Sequence, residues 1–201
     1  MPRRTRTKIQ WNSLERALLR LTRAELRRFG KKHLQETFYG FAFDCNSEYG
    51  EVGLCANTNA LLKAQRAAPD PNAAVWAAID RKLGLGGGSP AKPRRMSRWE
   101  LANWDYQAFN SKEFDRNWRR FQSIVTDRCM DEEEDEGTFT TPTQNRFMEA
   151  ACRVLVRLER DGAFDVLRRT ANFSTLAMDH DEPESKARAR LRRVRLRADG
   201  A

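Results

Sequence analysis

The strongest constraint on the fold is a change of hydrophobic period within residues 37–62, TFYGFAFDCNSEYGEVGLCANTNALL. Alternate side chains are predicted to point to one side of a strand: Tyr39, Phe41 and Phe43. Their neighbours, which point to the other side, are also apolar or small: Phe38, Gly40 and Ala42. A strand of this kind is typically central and covered on both faces. Turn residues and a second alternating run then complete a β-hairpin.

Helical periodicity flanks the hairpin. Asn12 or Ser13 is predicted to cap a helix that runs to about His33 and buries one face. The residues on that face are Leu14, Ala17, Leu18 and Leu21. After the hairpin, Asn57 or Thr58 caps a second helix, and a further short helix is predicted through AAVWAAIDRKLG.

The second half of the chain continues the helical pattern. Ser111 opens a helix with Phe114, Trp118, Phe121 and Val125 on its buried face, and the acidic run DEEEDE is predicted to break it. Thr141, Pro142 and Gln144 form a capping box that starts the next helix, which Gly162 ends. Its buried face is expected to consist of Phe147, Ala151, Val154 and Leu158.

The order of elements predicts an α+β fold in a single domain. A late strand and a basic helix opened by Pro183 follow, so we expect a small, mainly antiparallel sheet packed by about five or six helices. Its strands are placed at residues 37–44, 50–56 and 172–179. The domain is assigned to 12–197, with a basic tail at 1–11, a Gly/Pro-rich loop at 84–97 and a C-terminal tail at 198–201.

Composition limits the functional classes. With 201 residues, 40% hydrophobic and 32% charged, the chain has the size and polarity of one soluble globular domain. No apolar run reaches the roughly 20 residues of a membrane span. We expect a cytoplasmic location, no membrane association and no cofactor. The glycine-rich loop lacks the Gly-Lys-Ser/Thr ending of a phosphate loop.

The four cysteines are expected to be buried, reduced thiols, because none of them forms a C-x-x-C spacing. They are Cys45, Cys55, Cys129 and Cys152.

The net charge of +9 is concentrated at the two ends of the chain. Eleven Lys and Arg stand against two Glu up to residue 34, and KARARLRRVRLR carries seven basic residues and no acid. One interpretation is nucleic-acid binding by the basic ends. The arginines it names are Arg3, Arg4, Arg6, Arg188, Arg192 and Arg193. The other interpretation is that the basic residues form solvated helix faces whose charge is partly neutralised by the acidic residues 131–136. The basic segments contain few aromatic residues on which bases could stack, which favours this second interpretation.

The sequence MDHDE places Asp179, His180, Asp181 and Glu182 directly after an apolar strand. Acidic side chains there suit a hard cation, bound by Asp179 and Asp181, or a general acid–base pair. The alternative is that these residues cap the next helix or are solvated. The chain has only two histidines, which excludes a histidine-rich metal site.

Aromatic residues cluster after the glycine-rich loop. Trp99, Trp104 and Tyr106, with Arg95 and Arg98, are the candidate partner-binding residues, since Trp, Tyr and Arg dominate interface anchors. In that case at least one of the rings is substantially exposed. The alternative is that the rings pack the loop onto the sheet.

Several segments together resemble a bacterial family called domain of unknown function 4303. They are ETFYGFAFD, ANTNALL, RWELANWDY and FDVLRR…FSTLAMDHDE, and the resemblance extends from about Asn12 to Arg195. It implies an α+β domain with no established activity, cofactor or catalytic residue.

The expected function is that of a non-enzymatic protein that binds another protein, of a regulatory or toxin-neutralising type. This expectation is an analogy at the level of fold. The first alternative is a nucleic-acid-binding protein that uses its basic ends, and the second is an enzyme or metal binder that uses the acidic cluster at 179–182.

Overall fold

A computed structural model describes residues 8–67, 75, 78–79, 82–83, 97–136, 141–180 and 182–200. The elements in this part of the chain are α1 (Trp11–Lys32), β1 (Phe38–Asn46), β2 (Glu51–Thr58), α2 (Asn59–Ala67), α3 (Lys112–Glu136), α4 (Pro142–Arg160), β3 (Arg169–Asp179) and α5 (Glu184–Asp199). Short 3-10 helices lie at Leu101–Asn103 and Ala163–Val166. Across these ranges, none of the helices has the length and apolarity that spanning a bilayer requires.

The three strands form a mixed sheet in the order β2-β1-β3. β1 pairs antiparallel with β2, as the hairpin pattern predicts, but β3 pairs parallel with β1, with Gly40 opposite Ser174. The prediction of a mainly antiparallel sheet is therefore wrong for one of the two strand pairs. Two long helices lie between β2 and β3, and a long crossover of this kind can return the chain in the parallel direction. The α+β class is confirmed.

A bulge in β1 changes the predicted alternation of its side chains. The register of β1 shifts between Phe38 and Gly40 on both sides. Tyr39 contacts Trp104 at a ring-centroid distance of 5.8 Å, and a Cβ on Gly40 would lie 3.2 Å from the same ring. Tyr39 therefore faces the side of the sheet that Gly40 faces, whereas Phe41 packs on Phe164 on the opposite side.

Three helices pack together beside the sheet. α4 lies between α1 and α5, and both α4 and α5 contact β3. The predicted apolar faces of α1, α3 and α4 are buried. The predicted capping box at Thr141 is present, and Gly162 has a left-handed φ of 64° directly after α4.

Two helix boundaries differ from the prediction. α1 begins one residue before Asn12, with Gln10 as N-cap and no side-chain cap hydrogen bond. α3 continues through the acidic run to Glu136. The carboxylate of Glu132 accepts hydrogen bonds from the N–H and hydroxyl of Thr143, which holds this end of the helix against the start of α4. Residues 75, 78, 79 and 82 of the helix predicted after α2 are helical, and most of its other residues lie outside the described ranges. The Gly/Pro-rich loop lies outside them except for Ser97.

Candidate functional site

The ends of β1 and β3 bring together the polar residues that the sequence suggests for chemistry. Because the two strands are parallel, their carboxyl ends meet at the same edge of the sheet, with Cys45 opposite Asp179. Asp44, His180 and Asp179 interact electrostatically there. Asp44 is therefore a carboxylate, distant in sequence, that joins the 179–182 cluster. In the sequence Asp44 is a lone acid at a strand end, and its approach to the cluster depends on the strand register, which the sequence alone could not predict.

Asp179 is held by the turn of the hairpin. Its two carboxylate oxygens accept hydrogen bonds from the backbone N–H of Ser47 at 2.9 Å and from the Ser47 hydroxyl at 2.5 Å. The backbone N–H of Asp179 donates to the carboxylate of Glu182 at 2.8 Å. A carboxylate with both oxygens engaged in this way is a structural acceptor. Its predicted metal partner Asp181 lies outside the described residues.

Glu182 and Arg190 form a buried ion pair behind Asp179. Their side chains are 5% and 8% exposed, and Nη2 of Arg190 contacts the Glu182 carboxylate. Cys152 lies against the same guanidinium, and burial raises the pKa of its thiol to about 11. Burial also raises the pKa of Cys45 well above its usual value. The raised pKa values favour the protonated form of both thiols, which is not the nucleophilic form.

Among the described carboxylates of this cluster, Asp44 has the fewest hydrogen-bond donors within the protein. Burial raises the pKa of Asp44, the charge of His180 lowers it, and the charge of Asp179 raises it. No group of three or more His, Cys, Asp and Glu residues in the described ranges could hold a metal ion.

All four cysteines are buried and form no disulfide, which confirms the prediction that they are buried.

The predicted partner-binding rings lie mainly in the core. Trp99 and Trp104 are each 3% exposed, and Tyr106 is half-buried. The indole N–H of Trp104 donates to the carbonyl of Arg98 at 3.1 Å. These two tryptophans cover Gly40, where the strand has no side chain of its own. The expectation of a substantially exposed ring is therefore wrong for both tryptophans, and the packing alternative describes them.

Arg98 belongs to the same packed region. Its guanidinium lies 4.2 Å from the ring centroid of Tyr39, and its carbonyl also accepts from the Tyr39 hydroxyl at 2.8 Å. Arg95 lies outside the described residues, so its place beside the rings stays a prediction.

Tyr106 takes part in a polar cluster that the sequence did not indicate. Its hydroxyl donates to Glu36 at 2.6 Å, and Nδ1 of His33 lies 2.6 Å from the other carboxylate oxygen. Burial acts to raise the pKa of Glu36, but the hydrogen bonds from Tyr106 and His33 and the charge of His33 together outweigh it, and the pKa is lowered. Burial and the bond to Glu36 raise the pKa of Tyr106 to about 12. The cluster joins the end of α1 to the segment that borders β2.

The basic residues of α5 are partly paired within the protein. Arg188 binds Glu184 at 2.6 Å and lies 5.3 Å from the ring centroid of buried Trp99. Arg192 and Arg193 are exposed. Arg3, Arg4 and Arg6 lie outside the described residues. The arginines predicted for nucleic-acid binding are therefore not brought together as one described site.

A more continuous cationic surface lies on α1. Arg16, Arg20, Arg27 and Lys31 are all exposed and lie on one side of the helix at intervals close to whole turns. We call these four residues the α1 row. The excess of basic residues before residue 34 is visible in the sequence, but only the helix bounds and the burial of the other face show which of them form a row.

Comparisons with known proteins give a single result. Neither the curated proteins nor the solved structures contain a match to this chain. A family model described as domain of unknown function (DUF4303) matches residues 18–195. This range contains all three strands and most of α1 and α5. The chain therefore belongs to the DUF4303 family.

Proposed function

We propose that this chain is a non-catalytic binding domain whose partner is a protein with an acidic surface, and that the partner docks on the α1 row. The observation that carries the proposal is that the four cations of the row are exposed and that no carboxylate of the described residues pairs with them. An acid-free row of cations attracts acidic partners and accelerates their association.

The geometry of α1 supports a protein-sized contact. The row extends from Arg16 to Lys31, fifteen residue steps or about 22 Å at 1.5 Å per residue. The two acidic residues of α1 are engaged elsewhere. Glu15 binds Arg153 on α4 at 2.7 Å, and buried Glu25 accepts from Arg28 and Ser111. The row therefore keeps its positive charge.

A protein partner fits this surface better than single-stranded nucleic acid does. Leu34, 67% exposed, follows the row at the end of α1, and protein interfaces combine arginine with apolar contacts. The row contains no aromatic ring on which a base could stack. The proposed protein partner is of a regulatory type or is a toxin that the chain neutralises. We propose that the two proteins meet in the cytoplasm.

An enzymatic role has less support. The carboxylates of Asp179 and Glu182 have internal donors, so they hold the turn and α5 in place. An enzyme that uses the 179–182 cluster remains the third proposal. An increase in the melting temperature of the protein in millimolar divalent cations would support it.

The test is affinity capture from the native host after nuclease treatment, with three forms of the chain. They are the wild type, Arg20→Glu/Arg27→Glu in the row, and Arg116→Glu/Arg119→Glu on exposed positions of α3 as a control with the same charge change. We expect an acidic protein that the wild type and the control retain and the row variant loses. Equal retention by all three forms would remove the row as the docking surface.

Nucleic-acid binding is the second candidate, because an acid-free row of cations also suits phosphates. Arg192 and Arg193 on α5, and Arg3, Arg4 and Arg6, belong to this proposal. A mobility shift on mixed DNA and RNA that weakens steeply with salt, and that the α3 control retains, would favour it over the protein partner.

A further inference from the structure

A cleft separate from the α1 row lies where three helices meet. It has a volume of about 580 Å³ and is formed by the start of α1, the end of α3 and the start of α4. Small-molecule sites in proteins commonly have volumes of 300–1,000 Å³. The residues that give the cleft its chemistry are Lys8, Trp11, Arg128, Glu132, Thr143 and Arg146.

The only carboxylate among these residues has all its hydrogen bonds inside the protein. Glu132 is buried and accepts from the N–H of Thr143 at 2.9 Å and from the Thr143 hydroxyl at 2.8 Å. Nε of Arg128 lies 3.0 Å from the same carboxylate. Glu132 therefore compensates one cation and is not available to a ligand.

The remaining positive charge of the cleft has no partner among the described residues. Lys8 and Arg146 are exposed and form no ion pair there. The guanidinium of Arg146 lies 5.0 Å from the ring centroid of half-buried Trp11, which restricts its position without neutralising its charge. Among the described residues that line the cleft, three cations stand against one carboxylate, a surplus of two positive charges.

We propose that this cleft binds a phosphate group, either free or as the headgroup of a small phosphate ester. Guanidinium groups match the geometry of phosphate oxygens, and Arg146 and Arg128 supply two of them from different helices. Lys8 adds an ammonium group to the lining of the cleft. The two negative charges of a phosphate monoester balance the two positive charges that Glu132 does not neutralise among the described lining residues. Trp11 supplies an apolar wall for the organic part of an ester.

The test is calorimetric titration of the full chain with inorganic phosphate and, separately, with a nucleoside monophosphate, each against sodium chloride at equal ionic strength. The variants are Arg146→Ala in the cleft and Arg116→Ala, an exposed arginine on α3, as the matched control. Both positions are exposed, so neither truncation removes core packing, and the melting temperature without ligand checks this.

The expected result is saturable binding that weakens at least tenfold in Arg146→Ala and stays within twofold in Arg116→Ala. Tighter binding of the monophosphate assigns the site to an ester, and equal binding of both probes assigns it to free phosphate. The proposal is overturned if neither probe binds beyond the chloride control, or if both variants lose affinity equally. The Arg20→Glu/Arg27→Glu variant should retain phosphate binding, which separates this proposal from the protein partner.

Discussion

Asp179 at the end of β3 accepts two hydrogen bonds from Ser47, one from the backbone N–H at 2.9 Å and one from the hydroxyl at 2.5 Å. The two residues are 132 positions apart in the sequence. The pair fastens the late parallel strand to the turn of the early hairpin. Asp179, for which the sequence suggests cation binding or acid–base chemistry as one interpretation, therefore stabilises the sheet.

Replacing Ser47 with Ala should lower the free energy of unfolding by about 1.5–3 kcal/mol, the usual range for a hydrogen bond to a charged group. The hydroxyl is lost, while the backbone N–H still donates to Asp179. Urea denaturation measures the effect. Ser123→Ala, at an exposed position of α3, is the control and should change stability by less than about 0.5 kcal/mol. Equal effects of the two variants would contradict the structural role.

Removing one member of the buried Glu182–Arg190 pair should be more harmful than removing both. Arg190→Met leaves a buried carboxylate without its cation, and we expect a loss of about 3–5 kcal/mol. The double variant Glu182→Gln/Arg190→Met removes both charges and should recover part of that loss. A double-mutant cycle in urea gives the coupling energy. Additive effects of the two substitutions would show that the charges do not interact.

Trp104 should behave as a core residue. Its ring is 3% exposed and covers Gly40, so Trp104→Ala should cost about 3–5 kcal/mol in the free energy of unfolding. Trp104→Phe loses the N–H bond to Arg98 but keeps part of the packing, so its cost should be smaller than that of Trp104→Ala. An unchanged melting temperature in Trp104→Ala would instead restore this ring as a candidate surface anchor.

The Glu36 cluster predicts a pH-dependent cost of Tyr106→Phe. The pKa of Glu36 is lowered in the folded protein, so its ionisation stabilises the fold above the usual glutamate pKa of 4.5 and this stability is lost as the pH falls through the lowered value. The Tyr106 hydroxyl contributes to this lowering. The stability difference between wild type and Tyr106→Phe should therefore be largest near neutral pH and shrink in acid. A difference that is constant with pH would show that the ionised carboxylate is not involved.

The sequence was most informative where structure is decided locally. Thr141 and Gln144 lie three residues apart and form the capping box that their types predict. The helix stripe that contains Phe114 and Trp118 is buried as its period requires. Such features depend on residues within one or two turns of each other.

Features that depend on distant partners could not be predicted. The parallel direction of β3, and with it the approach of Asp44 to His180, follows from the path of two intervening helices. α3 continues through a run of like-charged acidic residues, and Glu132 within that run accepts a hydrogen bond from the backbone N–H of Thr143 on α4. Trp99 and Trp104 are buried because they cover Gly40, a strand position without a side chain. The sequence does not show that these two rings and this glycine meet.

The central claim is that the α1 row binds an acidic protein, and the most direct measurement is the affinity of the purified captured partner for matched variants. We predict that Arg20→Glu/Arg27→Glu weakens binding by at least tenfold and that added salt weakens the wild-type complex. Arg116→Glu/Arg119→Glu, which changes the net charge by the same amount, should bind within about threefold of wild type. Equal weakening by the two variants would mean that only total charge matters, and unchanged affinity in the row variant would contradict the proposed docking surface.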